Sequence, residues 1–181
     1  MSEHDLHVQT MTQLEVLREI SLVFSSLQYD FWLRGGWAID FLFGRVTRLH
    51  DDIDLVTWIH HRAKIEQALK EAGYEQIPVR EPFNGRQSDF RKETVDLQIA
   101  YVSRLKNGSI ILNDLPEWEW RFDSLLEHMF VLNGISARVM NPRQLLQEKD
   151  DYEEDGRIPR PKDFESRKLL QSILDSGRFS E

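Results

Sequence analysis

The chain contains no cysteine, which excludes disulfides, thiolate zinc sites and a cysteine nucleophile together. It has no run of about 18 apolar residues, and its opening, MSEHDLHVQTM, has no apolar segment behind a basic one. Neither a membrane span nor a secretory leader is predicted, and a soluble cytoplasmic protein is expected. Basic residues are also short: 23 Lys and Arg face 31 Asp and Glu, for a formal net charge of -8. Binding to duplex nucleic acid relies on Lys and Arg neutralising phosphates, so no such partner is expected and a cationic small molecule fits better. With 40% hydrophobic residues in 181, the chain has enough apolar surface for an ordinary core.

Periodicity organises what is present. Leu14, Leu17, Ile20, Phe24 and Leu27 recur at three or four positions, and Thr12 followed by Glu15 reads as a capping box opening that helix. FWLR is a short strand running into Gly35-Gly36, and WAIDFLFG has the apolar density and closing glycine of a short buried helix. DIDLV alternates carboxylates with Ile53 and Leu55, the pattern of a strand with one apolar and one acidic face. Ile65, Leu69 and Ala72 then form a helical stripe ended by Gly73. Asn84-Gly85 reads as a hairpin turn, after which TVDLQIAYV again alternates, with Val95, Leu97, Ile99 and Tyr101 on one face and Asp96 on the other. Asn133-Gly134 predicts a further hairpin, and Asn141-Pro142 an N-cap and first helical residue. Two closing helices are predicted over roughly 142–149 and 162–176, the second with Phe164, Leu170, Ile173 and Leu174 inward. The polar, proline-bearing stretch 150–161 between them reads as a linker.

The chemistry concentrates in one place. Asp51, Asp52 and Asp54 occupy three of four consecutive positions, next to Arg45 and Arg48. Carboxylates on alternate positions of a strand lie about 7 Å apart at the backbone and can converge on one point. They repel there unless a cation sits between them. Asp96, on the polar face of another strand, would join them if the two strands were neighbours. Three hard oxygen ligands on a rigid sheet suit Mg²⁺ with coordination positions left for phosphate and water. An arbitrary D-D-x-D is more often a solvated loop. Here the alternation argues for a strand, and the upstream Gly-Gly turn opens a helix whose free N–H groups can receive a phosphate.

These residues resemble the polymerase-β-like nucleotidyltransferase superfamily, whose signature is a Gly-Gly or Gly-Ser turn, then D-x-D, then a third Asp on a later strand. GGWAIDFLFGRVTRLHDDIDL is similar to the small aminoglycoside 2''-adenylyltransferases, with the lincosamide nucleotidyltransferases next nearest. The resemblance is densest over residues 31–58, moderate around Asp96 and thinner over PRPKDFESRKLL. It implies an α/β (α+β) fold, a mixed twisted sheet flanked by helices, with residues 1–140 as the nucleotidyltransferase domain and 141–181 as a small helical segment packed on it. It also implies transfer of AMP from ATP, with Mg²⁺, two ions being expected, onto a hydroxyl of an aminoglycoside- or lincosamide-like molecule, with release of pyrophosphate. Asp52 and Asp54 would be metal ligands, and Asp96 general base, ligand or both. Gly35, Gly36, Arg48 and Lys162 would hold the nucleotide.

Some assignments stay open on sequence alone. Arg34 stands where relatives more often have a neutral or acidic residue, and pairs either with phosphate or with a carboxylate. Arg45 either offsets the cluster's charge or grips phosphate, or forms an ion pair with Asp40 or Asp51, and His50 reads as a structural hydrogen-bonder. Trp118, Glu119 and Trp120 are candidates to stack on a sugar and pair with an ammonium, although core packing is the stronger reading of either tryptophan. Rival functions are a protein-modifying nucleotidyltransferase of the toxin-antitoxin type and a non-catalytic nucleotide-binding module. Oligomeric state is not legible.

Overall fold

A computed structural model describes residues 3–112, 114–154 and 156–179. The chain runs α1 (Glu3–Leu27), β1 (Trp32–Arg34), α2 (Gly35–Phe43), β2 (Asp52–Trp58), a short 3-10 turn (Ile59–His61), α3 (Arg62–Glu71), β3 (Glu75–Ile77) and β4 (Gln87–Lys92). It continues through β5 (Val95–Arg104), β6 (Ile110–Leu112), β7 (Glu119–Trp120), β8 (Phe130–Leu132), β9 (Ile135–Val139), α4 (Pro142–Glu154) and α5 (Pro161–Asp175). The strands form one mixed sheet in the order β3-β4-β5-β2-β1-β9-β8, with β6 pairing β5 and β7. The β2/β5 and β1/β9 pairs are parallel and the others antiparallel. The expected mixed α+β sheet with flanking helices is what forms.

The period-2 runs explain its centre. Ile53, Leu55, Leu97 and Ile99 are fully buried and share one core with Leu14, Leu17, Ile20 and Phe24 of α1. Burying four aliphatic side chains of this kind stabilises by about 1.5–3 kcal/mol each. Their alternation leaves the carboxylates of the same strands on the opposite face. In α2 every residue from Trp37 to Leu42 is buried, and Gly44 closes the helix in the left-handed region, its N–H donating to the Asp40 carbonyl. The β8–β9 hairpin turns on Asn133 and Gly134, both with positive φ. Asn141 caps α4 by accepting from the Arg143 N–H at 3.0 Å. The two C-terminal helices pack on each other and on α2.

Several local expectations change. α1 begins at Glu3, so Thr12 lies inside it and its hydroxyl donates to the Val8 carbonyl at 2.9 Å instead of capping. α4 continues to Glu154, so the first half of the expected linker is helix, supported by ion pairs from Arg167 to Asp150 and Glu153. Leu170 and Ile173 face inward as expected, whereas Leu174 is only half-buried and Phe164 is exposed. Among the described residues no helix is long and apolar enough to cross a membrane.

Candidate active site

Strand register sets two rows of side chains across one face of the sheet. Arg34 on β1 stands opposite Asp54 on β2, Asp54 opposite Gln98 on β5, and Gln98 opposite Asp89 on β4. One step along, Asp52 on β2 stands opposite Asp96 on β5, which stands opposite Arg91 on β4. Directly opposed side chains on one face are about 5 Å apart at Cβ, so the neighbourhood of Asp52 and Asp96 follows from register alone. Asp96, however, is gripped by Arg91 through two hydrogen bonds of 2.6 and 3.1 Å. Among the described residues no three His, Asp or Glu side chains are drawn together as a metal cage.

The electrostatics reflect crowded like charge. Burial, then the Asp52 charge, pushes the Asp54 carboxyl up to about 6, with Arg34 opposing. Burial raises Asp52 too, with Asp51 and Asp96 adding to it and Lys162 opposing after burial. Asp89 is raised by burial, and by Asp96 and Asp52. Asp51 is instead held low by a hydrogen bond from Lys162. Carboxylates whose charged forms are disfavoured by one another are the donor set that a hard divalent cation relieves. Asp52 and Asp54 fit such an ion through oxygen atoms.

The glycine turn is packed onto this row. Gly35 has φ +63, and a Cβ there would stand 2.5 Å from Asp54 Oδ2. A Cβ on Gly36 would stand 2.2 Å from His50 Nδ1 and 2.8 Å from Arg48 Nη2. His50 cannot yield, because its Nε2 lies 2.6 Å from Asp40 Oδ2 and both residues are buried. Asp40 also accepts from the Thr47 backbone N–H and hydroxyl. The His50 carbonyl accepts from Gln9 and Gln13 of α1. His50 is thus the hydrogen-bonding brace of the loop that leads into β2. Asp40 is taken by His50 and Thr47, Asp51 by Lys162, and Arg45 lies over the Phe43 ring, so among the described residues Arg45 forms neither of the ion pairs expected for it, with Asp40 or with Asp51.

The C-terminal helices close the site. A cavity of about 370 Å³ has the glycine turn, Asp52 and Asp54 on one side and Lys149, Arg160 and Lys162 on the other. Arg48 lines it as well, while its Nη1 donates to the Leu49 carbonyl at 2.7 Å. Arg160 and Lys149 are held by Asp163, whose carboxylate accepts from the Arg160 backbone and guanidinium; these bonds outweigh burial and hold Asp163 below the usual carboxylate range. A second cavity of about 540 Å³ adjoins the first, and Leu112, Trp118 and Glu148 line both. Glu119 and Trp120 line only the second, and Trp120 belongs to the core as well.

The sequence matches the aminoglycoside-2''-adenylyltransferase family over residues 16–170. The chain belongs to that family. A 2''-aminoglycoside nucleotidyltransferase from Klebsiella pneumoniae is 39% identical over 62 residues, 34% of this chain and 35% of that protein. A lincosamide resistance protein from Staphylococcus haemolyticus is 36% identical over 64 residues, 35% of this chain and 39% of that protein. The alignment thus spans only about a third of the curated relatives. Structures agree over far more: ANT(2'')-Ia in complex with adenylyl-2''-tobramycin gives a TM-score of 0.73 at 22% identity, covering 92% of both chains. Lincomycin-bound LnuA, a lincosamide antibiotic adenylyltransferase, gives 0.67 at 21%, covering 96% of this chain and 98% of that one. At such identities the likeness is one of fold, the nucleotidyltransferase fold of the family.

Within that family fold, side chains not singled out from sequence also reach the site. Asp89 alternates with the buried Ser88 and Phe90 in SDFRK, the same rule that exposed Asp96. Glu148 lies three residues after the buried Leu145, a carboxylate on an inward stripe. Arg34 resolves in favour of a carboxylate, pairing with Glu148 through Nε at 3.1 Å and Nη2 at 2.8 Å.

Proposed function

We propose that this protein transfers AMP from ATP to a hydroxyl of a small cationic antibiotic of the aminoglycoside or lincosamide type, releasing pyrophosphate. The observation that carries the reading is the Asp52–Asp96 register beside the contact between Gly35 and Asp54. Asp52 and Asp54 are the metal ligands in this reading. Divalent ions held by these carboxylates would neutralise charge on the triphosphate.

The remaining roles fall to the chain's own groups. Backbone N–H groups at the Gly35-Gly36 start of α2 face a phosphate, and Arg48, Arg160 and Lys162 pair with the others. The acceptor hydroxyl attacks the α-phosphorus in line, and pyrophosphate departs on the opposite side. Asp96 takes the hydroxyl proton once Arg91 releases one of its oxygens, because an unassisted hydroxyl is a poor nucleophile. The acceptor sits in the second cavity, with Trp118 against its ring face and Glu119 toward an amine. Relatives that carry aminoglycosides or lincosamides in their names support this acceptor class.

The test is to incubate the protein with MgATP and a panel of aminoglycosides and lincosamides, and to read product masses and pyrophosphate. An adenylylated drug is expected. No adduct on any drug, or an adduct on a protein in place of a drug, overturns the reading.

A further inference from the structure

One row of the sheet face carries charge across four strands. Register sets Glu75 on β3 opposite Arg91 on β4, Arg91 opposite Asp96 on β5, and Asp96 opposite Asp52 on β2. Directly opposed side chains on one face are about 5 Å apart at Cβ, so Arg91 has a carboxylate within reach on either side. It holds the inner one: Nε and Nη2 donate to the two oxygens of Asp96 at 2.6 and 3.1 Å, a fork that engages both of them. The hydrogen bonds and charge of Asp96, with the charge of Glu75 after them, raise Arg91 above its ordinary value. Asp89, two positions before Arg91 on the same face, accepts from Gln87 Nε2 at 2.7 Å.

Charge in this row does not balance. Glu75, Asp96 and Asp52 are three carboxylates to the single guanidinium of Arg91, a deficit equal to one divalent ion. With Arg91 on Asp96, both oxygens of Asp96 are engaged by β4 and only Asp52 and Asp54 are left to receive an ion. With Arg91 moved to Glu75, those two neutralise each other, and Asp96 is free to face Asp52 across a shared cation. The observed pair is suited to such an exchange. The side chains of Arg91 and Asp96 are 52% and 44% exposed, so water screens their attraction and the pair adds little net stability. A divalent ion competes for Asp96 with twice the charge of the guanidinium. The pair is not needed as a staple either, because ladder pairing already joins β4 to β5 from Gln87 to Lys92.

We infer that Arg91 is a latch on the metal site: in the ion-free protein it stands in for the cation at Asp96, and it is handed to Glu75 when a divalent ion joins Asp52 and Asp96. Arg91 is a positioning residue in this scheme, acting through Asp96, and Glu75 is its catch. The latch rests on the nucleotidyltransferase reading and deepens it, because the carboxylate proposed to take the hydroxyl proton becomes available only as the ion arrives.

The experiment is calorimetry of the full chain with Mg²⁺ alone and with MgATP, on the wild type, Arg91→Gln, Glu75→Gln and the double variant, with thermal melts of each. Arg91→Gln is expected to bind Mg²⁺ about three- to fivefold more tightly than the wild type, the share of one exposed ion pair that no longer has to be broken. Glu75→Gln removes the catch and is expected to bind Mg²⁺ about twofold more weakly. In the double variant Glu75→Gln should add nothing, since no arginine is left to hand over; an equal effect in both backgrounds would mean long-range charge and overturn the hand-over. Arg104→Gln makes the same charge change about 26 Å away along β5, by the strand rise, and should leave Mg²⁺ affinity as it is. Wild-type or weaker Mg²⁺ binding by Arg91→Gln overturns the inference while MgATP binding by the wild type leaves the function standing. If Arg91→Gln melts far below the wild type, Arg91→Lys decides, because a point charge loses the fork and should also bind Mg²⁺ more tightly. A wild type that binds neither Mg²⁺ nor MgATP defeats the latch and the function together.

Discussion

A Cβ placed on Gly35 would lie 2.5 Å from Oδ2 of Asp54, closer than any side chain can sit. The glycine does two things at once. It accepts a left-handed φ at the head of α2, and it leaves the volume that the Asp54 carboxylate occupies. The glycine turn and the acidic strand are therefore one packed unit, and a change to either is felt by the other.

Gly35→Ala is expected to destabilise the protein by about 2–4 kcal/mol, the sum of a left-handed penalty and an overpacking penalty. Gly36→Ala should be as severe, because the atoms it meets belong to a His50 ring braced by Asp40. Denaturant unfolding measures both. A stability within about 0.5 kcal/mol of wild type, the usual range for surface changes, would mean the turn is looser than its geometry.

Asp54→Asn is expected to lower turnover on the order of 10³-fold while stabilising the metal-free protein at pH 7. The folded Asp54 keeps its proton up to about 6, whereas the ordinary value is 3.8. Between those two pH values the unfolded chain ionises first, so the group's contribution to stability falls as pH rises. Removing the charge should restore on the order of 1–2 kcal/mol above pH 6, allowing for water access. Thermal melts across pH 4 to 8, a range of about four units spanning the shifted carboxyl, would reveal it. Identical pH profiles for wild type and variant would exclude a raised Asp54.

Mg²⁺ should raise the melting temperature of the wild type more at pH 7.5 than at pH 5, values chosen about one unit or more either side of the Asp54 titration, because ligands must lose their protons to bind. The Asp54→Asn variant should show little of this gain. Equal stabilisation of both proteins would place the ion elsewhere.

Asp163→Ala should cost about 1–2 kcal/mol, since it removes the acceptor of the Arg160 N–H at the start of α5. The wild-type carboxylate is held low, so its contribution is fully present at neutral pH and fades as pH falls below the usual carboxylate range. Arg160 and Lys149 lose their common partner, so the KM for ATP should rise as well. A variant with wild-type stability and KM would show that Asp163 organises neither the helix start nor the rim.

Much of the fold can be read along the chain because its signals are local. The inward stripe of α1, the alternation in β2 and β5, the Asn133-Gly134 turn and the Asn141 cap each depend on fewer than about twenty neighbouring residues. Local signals fail where burial decides instead: Phe164 carries a core residue's chemistry yet stays exposed, and α1 extends nine residues ahead of Thr12.

By itself the sequence determined which residues are acidic, which faces of β2 and β5 they occupy, and that a glycine turn precedes them, since pleat and turn chemistry act over a few residues. Only the tertiary structure decided that β5 lies beside β2 with Asp96 opposite Asp52, that Lys162 reaches Asp51 from 111 residues away, and that Arg34 meets Glu148 across 114. Those meetings depend on how sheet and helices pack, and no stretch of chain short enough to carry a pattern contains both partners.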